Sequence, residues 1–284
     1  MAWRSATIDA HHHLWRYNAA EYPWIDDRMH MLQLDYLPED FVQARQAEGV
    51  GGSVVVQARQ SLEETSWLLQ CAAEEPSIRG VVGWAPIAAD DLDAILDRFR
   101  SNRNLVGLRE IVQGQPAGFL SNSDFNRGIG LLAERNLVYD VLISEGQMQE
   151  ALEFVDRHPR QRFVLDHAAK PRIAQGVMEP WRGLLMELGK RENVSCKLSG
   201  LVTEADWTAW RPEQLQPYLD TCVEAFGTKR LMAGSDWPVC RVASSYSRWW
   251  SVLRDFFAGF SDNENQGIFG GNAISVYGLS LIHI

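Results

Sequence analysis

Short, β-branched apolar runs alternate with longer stretches of helical period along almost the whole chain, and their number limits the fold more than any other feature. Eight runs can be counted, at residues 7–10, 53–57, 81–84, 105–108, 138–142, 163–166, 194–198 and 231–234. Between them, residues 62–74, 92–101, 124–135, 148–157, 181–190 and 215–226 carry apolar side chains three and four apart, which predicts helices. Such alternation is the pattern of a parallel sheet with crossover helices. The runs are β-branched and apolar rather than cleanly alternating, as expected of strands covered on both faces. Eight such units close most simply as a (β/α)8 barrel, which takes roughly 250 residues. The expectation is therefore an α/β protein, one distorted (β/α)8 TIM barrel domain spanning residues 1–284. The rival, a doubly wound open sheet, often carries a Gly-rich phosphate turn after its first strand, and no G-x-G-x-x-G is present.

Charge narrows the partners. A net charge of −10 argues against nucleic acid, whose binding depends on clustered Lys and Arg. No apolar run approaches the ~20 residues that span a bilayer, and no basic segment leads into an apolar core at the N-terminus. A soluble, cytoplasmic protein without a membrane partner is expected. Cys71, Cys196, Cys222 and Cys240 lack C-x-x-C spacing and read as buried reduced thiols. No repeat or linker divides the chain. Residues 15–38, rich in aromatic and acidic side chains, form a long excursion after the first strand, either a cap on the barrel mouth or a plain surface loop. Residues 280–284 continue no pattern and are given no role, and nothing in the sequence fixes the oligomeric state.

In a parallel barrel the carboxyl ends of the strands open into one mouth, so polar residues there converge from far apart in sequence. The first strand ends in Asp9-Ala10-His11-His12-His13, and alternation sends His11 and His13 to the same side. The sixth ends in Leu165-Asp166-His167 and the eighth in Gly234-Ser235-Asp236-Trp237-Pro238. Taken singly, each has a bland reading, as a satisfied structural His or as a turn Asp. Together they bring three imidazoles and a carboxylate to one place. The other strand ends offer Gln57, Arg59, Trp84, Arg109, Glu110 and Gln113 as a polar wall, with Trp24, Trp84 and Trp237 as stacking surfaces for a sugar ring. With 11 tryptophans in the chain, packing into the core is the competing explanation for each of those three.

His-x-His after strand one, His after strand six and Asp after strand eight resemble the amidohydrolase superfamily. Ile8 through Trp15, Gly107-Leu108-Arg109, Leu165-Asp166-His167 with Lys170-Pro171, Lys197-Leu198-Ser199-Gly200, Gly234 through Pro238, and Gly271-Asn272-Ala273 through Tyr277 are similar to its lactonase branch, most of all to L-fuconolactone hydrolases. The resemblance implies hydrolysis of a small sugar lactone to the aldonic acid. In that reading Asp236 is the general base, His11, His13 and His167 are donors to the oxyanion, and Arg109 stands at the substrate wall. A metal-bearing relative would add Lys or Glu after strand four and His after strand five. This chain has Leu108-Arg109-Glu110 and Val138-Tyr139-Asp140-Val141-Leu142, so that set is incomplete unless Glu110 or Asp140 substitutes. The expectation is that no cofactor is required. An optional or adventitious Zn2+ would sit on His11, His13 and Asp236. The rivals are a metal-dependent amidohydrolase or decarboxylase on the same barrel, and a non-catalytic barrel that binds a sugar acid.

Overall fold

The computed structural model describes residues 7–280. Its strands are β1 (Ile8–His12), β2 (Gly52–Val56), β3 (Ile78–Gly83), β4 (Leu105–Ile111), β5 (Val138–Leu142), β6 (Phe163–Leu165), β7 (Val194–Leu198) and β8 (Leu231–Ala233). All pair in parallel, in chain order. The helices are α1 (Pro38–Gln46), α2 (Leu62–Glu74), α3 (Leu92–Asp97), α4 (Ser123–Glu134), α5 (Met148–Arg157), α6 (Trp181–Gly189), α7 (Pro212–Phe226), α8 (Tyr246–Phe256), α9 (Asp262–Gln266) and α10 (Asn272–Tyr277). One helix follows each strand from α1 to α8, which is the expected (β/α)8 order, and α9 and α10 come after it.

The barrel closes just beyond β8. Asp236 N donates to His11 O at 2.8 Å, and His13 N donates to Trp237 O at 2.6 Å, so β1 meets the chain that leaves β8. Gly234 permits that approach, because a Cβ there would lie 3.0 Å from His11 Cβ and 3.1 Å from His11 N.

Two cores result. Inside the barrel, Ile8, Ala10, Val54, Val56, Val82, Val106, Val138, Val164 and Met232 pack on Ala273, Tyr277 and Leu279, so α10 and the residues after it stopper one end. Between sheet and helices lies the larger core, which includes Trp181, Trp249 and Trp250. Each fully buried valine contributes roughly 1.5–3 kcal/mol relative to exposure, which is why these strands read as continuous apolar runs.

Most predicted boundaries lie within three residues of those observed. The helix expected over 92–101 is shorter, because α3 stops at Asp97 and the chain continues in turns. Asp166 and Gly234, placed in strands by the sequence, lie just past β6 and β8. Of residues 280–284, only Ser280 lies within the described residues.

The excursion over residues 15–38 is ordered. Trp15 pairs with Tyr36 across it, donates from its indole to Leu34 O at 2.9 Å and is fully buried among Tyr22, Trp24 and Tyr36. The chain after β2 is held from α2, where Glu64 accepts Ala58 N and Arg59 N, both at 3.0 Å, and Tyr22 OH at 3.2 Å. Burial pushes the Glu64 carboxyl up from 4.5 to about 7. A carboxyl raised in the folded state stabilises the protein most below its unfolded value and loses that contribution as pH climbs through 7. Glu64→Gln keeps the acceptor without the charge. Its stability relative to wild type should therefore rise between about pH 5 and pH 8, by up to roughly 3 kcal/mol. Denaturant unfolding at the two pH values checks this, and a pH-independent difference would contradict it.

Candidate active site

His11 and His13 face the mouth because β1 is bulged. Its pairing with β2 shifts register between Asp9 and His12. As a result Ala10 packs inside the barrel while the neighbouring His11 also turns inward. His12 is sent the other way, stacked on Phe41 at 3.7 Å and bonded to Ser53 Oγ at 3.0 Å. Bulges of this kind re-aim side chains beside active sites. Asp9 anchors the distortion, accepting His11 N at 3.1 Å, Ser235 N at 2.8 Å and Tyr246 OH at 3.1 Å, and burial raises it to about 6.

Three imidazoles then surround one carboxylate. Asp236 Oδ1 lies 3.3 Å from His13 Nε2, 3.7 Å from His11 Nε2 and 3.9 Å from His167 Nε2. His11 Nε2 and His13 Nε2 are 3.1 Å apart. Asp236 holds its position with a positive φ of 56°, uncommon outside glycine and a mark of local strain at functional sites. Burial alone would raise its pKa, but His167, His13 and Lys170 outweigh burial and hold it below the ordinary carboxylate range. Burial lowers His167 to about 4 and His11 well below 6.5, with Lys197 adding to the latter. At neutral pH the site therefore presents an ionised carboxylate to neutral His11 and His167.

His167 is aimed by unusual backbone. Residues 167 to 170 all have φ near +50° to +60°, a left-handed turn of four L-residues. Trp181 Nε1 donates to Ala168 O at 2.6 Å, and His167 Nδ1 meets Ser199 Oγ at 2.9 Å. Gly200, itself at φ +66°, leaves space for the ring, since a Cβ there would sit 2.5 Å from His167 Nδ1.

Beneath the imidazoles runs a buried charge network. Lys197 Nζ bonds Asp140 Oδ2 at 2.5 Å and His11 Nδ1 at 3.1 Å, and pairs with Asp166 Oδ1 at 3.1 Å. Tyr277 OH, reaching in from α10, donates to both Asp140 oxygens at 2.8 and 2.9 Å. Arg109 Nη1 donates to Asp166 Oδ2 at 2.9 Å. Although burial would raise Asp166, Lys197, His11 and Arg109 hold it well below 3.8. Asp140 goes the other way, burial lifting it to about 6 despite Lys197. A charge inside an otherwise apolar strand, such as Lys197 in Val194–Leu198 and Asp140 in Val138–Leu142, was the sequence signal for this floor, because buried charges require partners. Its other members, Asp166 and Tyr277, carried no such mark.

The remaining expected residues divide. Arg109 is buried with every guanidinium nitrogen engaged: Nε and Nη2 on Gln57 Oε1, Nη2 also on Gln57 O, and Nη1 on Asp166 and, at 3.4 Å, on His11 Nε2. Gln57 keeps one buried donor, Nε2, without a partner. Glu110 accepts Trp84 Nε1 at 2.9 Å and Gln60 Nε2, and burial raises its pKa. Trp24 donates to Ala58 O at 3.1 Å and is 36% exposed at the mouth. The Trp237 ring is buried against Tyr36 and Phe41. Lys170 and Glu204, 3.7 Å apart and half-buried, form an ion pair close to Asp236 that the sequence did not single out as a pair.

Comparison with known proteins agrees with this geometry. A family model described as amidohydrolase matches residues 8–279. The chain is 40% identical to an L-fucono-1,5-lactonase of Burkholderia multivorans, over 96% of both proteins. It is 33% identical to an L-fucono-1,5-lactonase of Burkholderia ambifaria, over 95% of this chain and 94% of that one. A crystal structure of an amidohydrolase from Burkholderia multivorans with bound zinc superposes with a TM-score of 0.94 at 40% identity, covering 96% of this chain and 99% of that one.

The donor set here fits such an ion. Ligand atoms of His11, His167 and Asp236 lie within 4.8 Å of one another, and His13 Nε2 is 3.3 Å from Asp236 Oδ1. Nitrogen and carboxylate oxygen are the donors zinc takes. The geometry thus groups His167, a ligand the sequence had not proposed, with His11 and Asp236. Among the described residues no helix is long and apolar enough to cross a membrane. With its barrel order, its mouth of His11, His13, His167 and Asp236, and a match running from residue 8 to residue 279, the chain belongs to the amidohydrolase family.

Proposed function

We propose that this enzyme hydrolyses a sugar lactone of the L-fucono type to the aldonic acid, without needing a metal. The observation that carries the reading is Asp236 Oδ1 within 3.3–3.9 Å of three imidazole Nε2 atoms at the barrel mouth. The lactonase names of two relatives at 40% and 33% identity supply the substrate class.

In this mechanism water lies between Asp236 and the lactone carbonyl carbon. Asp236 takes its proton as the new C–O bond forms, the role of a general base. Negative charge gathers on the carbonyl oxygen and is met by imidazole N–H donors, which cost little reorganisation because they are already in place. The tetrahedral intermediate collapses with cleavage of the ring C–O bond, and the Asp236 carboxyl returns its proton to the departing alkoxide. Gln57 Nε2, a buried donor without a partner, is available to a sugar hydroxyl. Trp24 offers an apolar face at the rim.

Metal independence rests on where the substitute ligands are spent. Asp140 is engaged by Lys197 and Tyr277, and Glu110 by Trp84 and Gln60. A lactone is an activated ester, and hydrogen-bond donors meet its electrophilic demand. A zinc ion held by His11, His167 and Asp236 would supply Lewis-acid polarisation of the carbonyl. The zinc-bearing relative favours that second reading. Proton release from a panel of aldonolactones, before and after exhaustive chelation, separates the two. Chelated enzyme should keep most of its activity; loss on chelation with recovery on adding Zn2+ would establish the metal-dependent alternative. Tight binding of sugar acids with no turnover of any lactone would leave a binding protein instead.

A further inference from the structure

We propose that Glu204 makes the mouth refuse carboxylates: it cancels the charge of Lys170, so that neutral sugar lactones enter while sugar acids, the product among them, are held weakly. The pair is built from two turns at the carboxyl ends of neighbouring strands. Lys170 ends the left-handed turn that leaves β6, and Glu204 ends the 3-10 turn Leu201–Glu204 that leaves β7. The turns meet at the site itself, where His167 Nδ1 reaches Ser199 Oγ at 2.9 Å and Gly200 lies against the same ring. Thr203 Oγ1 donates to Gly200 O at 2.6 Å, and Trp207 Nε1 donates to Thr203 O at 2.8 Å, which holds the turn that carries Glu204.

Lys170 Nζ and Glu204 Oε1 are 3.7 Å apart, beyond hydrogen-bond length, and neither head group bonds another side chain among the described residues. An isolated ion pair open to solvent contributes about 0–1 kcal/mol, so little stability rides on this one. Its charges act on the reacting carboxylate instead. Against burial, Lys170 joins His167 and His13 in holding Asp236 below the ordinary carboxylate range, while burial raises Glu204 and the charge of Asp236 adds to the rise. One ammonium thus serves two carboxylates, and this corner of the mouth carries a negative charge in excess. The other cations of the mouth are engaged, Arg109 with Gln57 and Asp166, Arg59 with Glu21 and Arg172 with Glu145. Lys170 is the cation a ligand carboxylate would take, and Glu204 already holds it.

Lactone hydrolysis turns a neutral ester into an anion. A mouth with this balance admits the first and repels the second, which favours release of the aldonate. With the charge of Glu204 removed, Lys170 is free to form a charge-assisted hydrogen bond to a ligand carboxylate. Discrimination between lactones rests on the lactone reading above. The weak hold on sugar acids does not, and it is measured by binding alone, so a failure here is separable from a failure of that reading.

The first measurement is titration calorimetry with galactonate on wild type, Glu204→Gln, the double variant Lys170→Met/Glu204→Gln, and Asp156→Asn, which removes the same charge from an exposed site on α5. Glu204→Gln should bind galactonate at least about tenfold more tightly than wild type, with the other two variants at the wild-type level. Unchanged affinity in Glu204→Gln, an equal gain in Asp156→Asn, or a gain that survives the loss of Lys170 overturns the proposal. The second compares kcat/KM for L-galactono-1,4-lactone with that for the aldarolactone bearing a carboxylate in place of its terminal CH2OH. Glu204→Gln should raise the ratio in favour of the carboxylated lactone at least about tenfold. An unchanged ratio overturns the role of Glu204 in selecting substrates. If binding follows the expected order and neither lactone is turned over, the lactone reading falls and the refusal of carboxylates stands.

Discussion

Asp236→Asn is expected to lower kcat for lactone hydrolysis by roughly 10² or more with the fold intact, the usual scale for losing a general base. The amide oxygen occupies the place of Oδ1 but takes no proton from water. The substitution is well matched to its site, because Asn is among the residues that best tolerate positive φ, and Asp236 sits at φ 56°. The backbone contacts of Asp236, from its N to His11 O across the barrel seam and from Cys240 N to its own O, do not involve the side chain. Steady-state kinetics together with near-UV circular dichroism make the test. A near-wild-type rate would remove Asp236 from the mechanism; a collapsed spectrum would make the lost rate a folding effect.

Substrate charge should matter even more. A pyrone dicarboxylate brings two carboxylates to the mouth, and the cations there are already committed. Arg109 is saturated by Gln57 and Asp166, Arg59 pairs with Glu21 at 2.5 Å, and Lys170 pairs with Glu204. A buried carboxylate without its own cation costs several kcal/mol, so kcat/KM for the dicarboxylate should fall at least about a thousandfold below that for L-fuconolactone. Comparing both with other five- and six-carbon aldonolactones on one preparation tests it. Faster hydrolysis of the dicarboxylate would sink the sugar-lactone reading while leaving the barrel and the Asp236 chemistry standing.

The barrel could be read in the sequence because its strands face apolar layers on both sides, so Val194–Leu198 and Val138–Leu142 stand out with their true boundaries. His11, His13, His167 and Asp236 were legible for the opposite reason, as polar residues breaking that pattern at strand ends. What escaped was whatever depends on the chain departing from regular geometry. Strict alternation picks His11 and His13 as a pair, but not the bulge that lets Ala10 and His11 both turn inward. Trp237 sits beside Asp236 in sequence, yet its ring packs away against Tyr36 and Phe41. The charge network under the site joins β5, β6, β7 and α10, and no local pattern announces a contact between residues 140 and 277.

The left-handed turn at residues 167–170 has a consequence for how this scaffold can change. An L-residue wound in that hand costs roughly 1–2 kcal/mol, and Asp166-His167-Ala168-Ala169-Lys170 contains none of the glycines or asparagines that would ease it. The direction in which His167 points is therefore imposed by its surroundings, by Trp181, Ser199 and the bare Cα of Gly200, and not by its own stretch of chain. Valine or isoleucine at 168 or 169 would be barred by its backbone alone. Glycine there would relieve the tension yet let the imidazole wander. New substrate ranges are thus open to this barrel through its rim, at residues such as Trp24 and Glu204, while the hand of this one turn stays frozen for as long as His167 is needed.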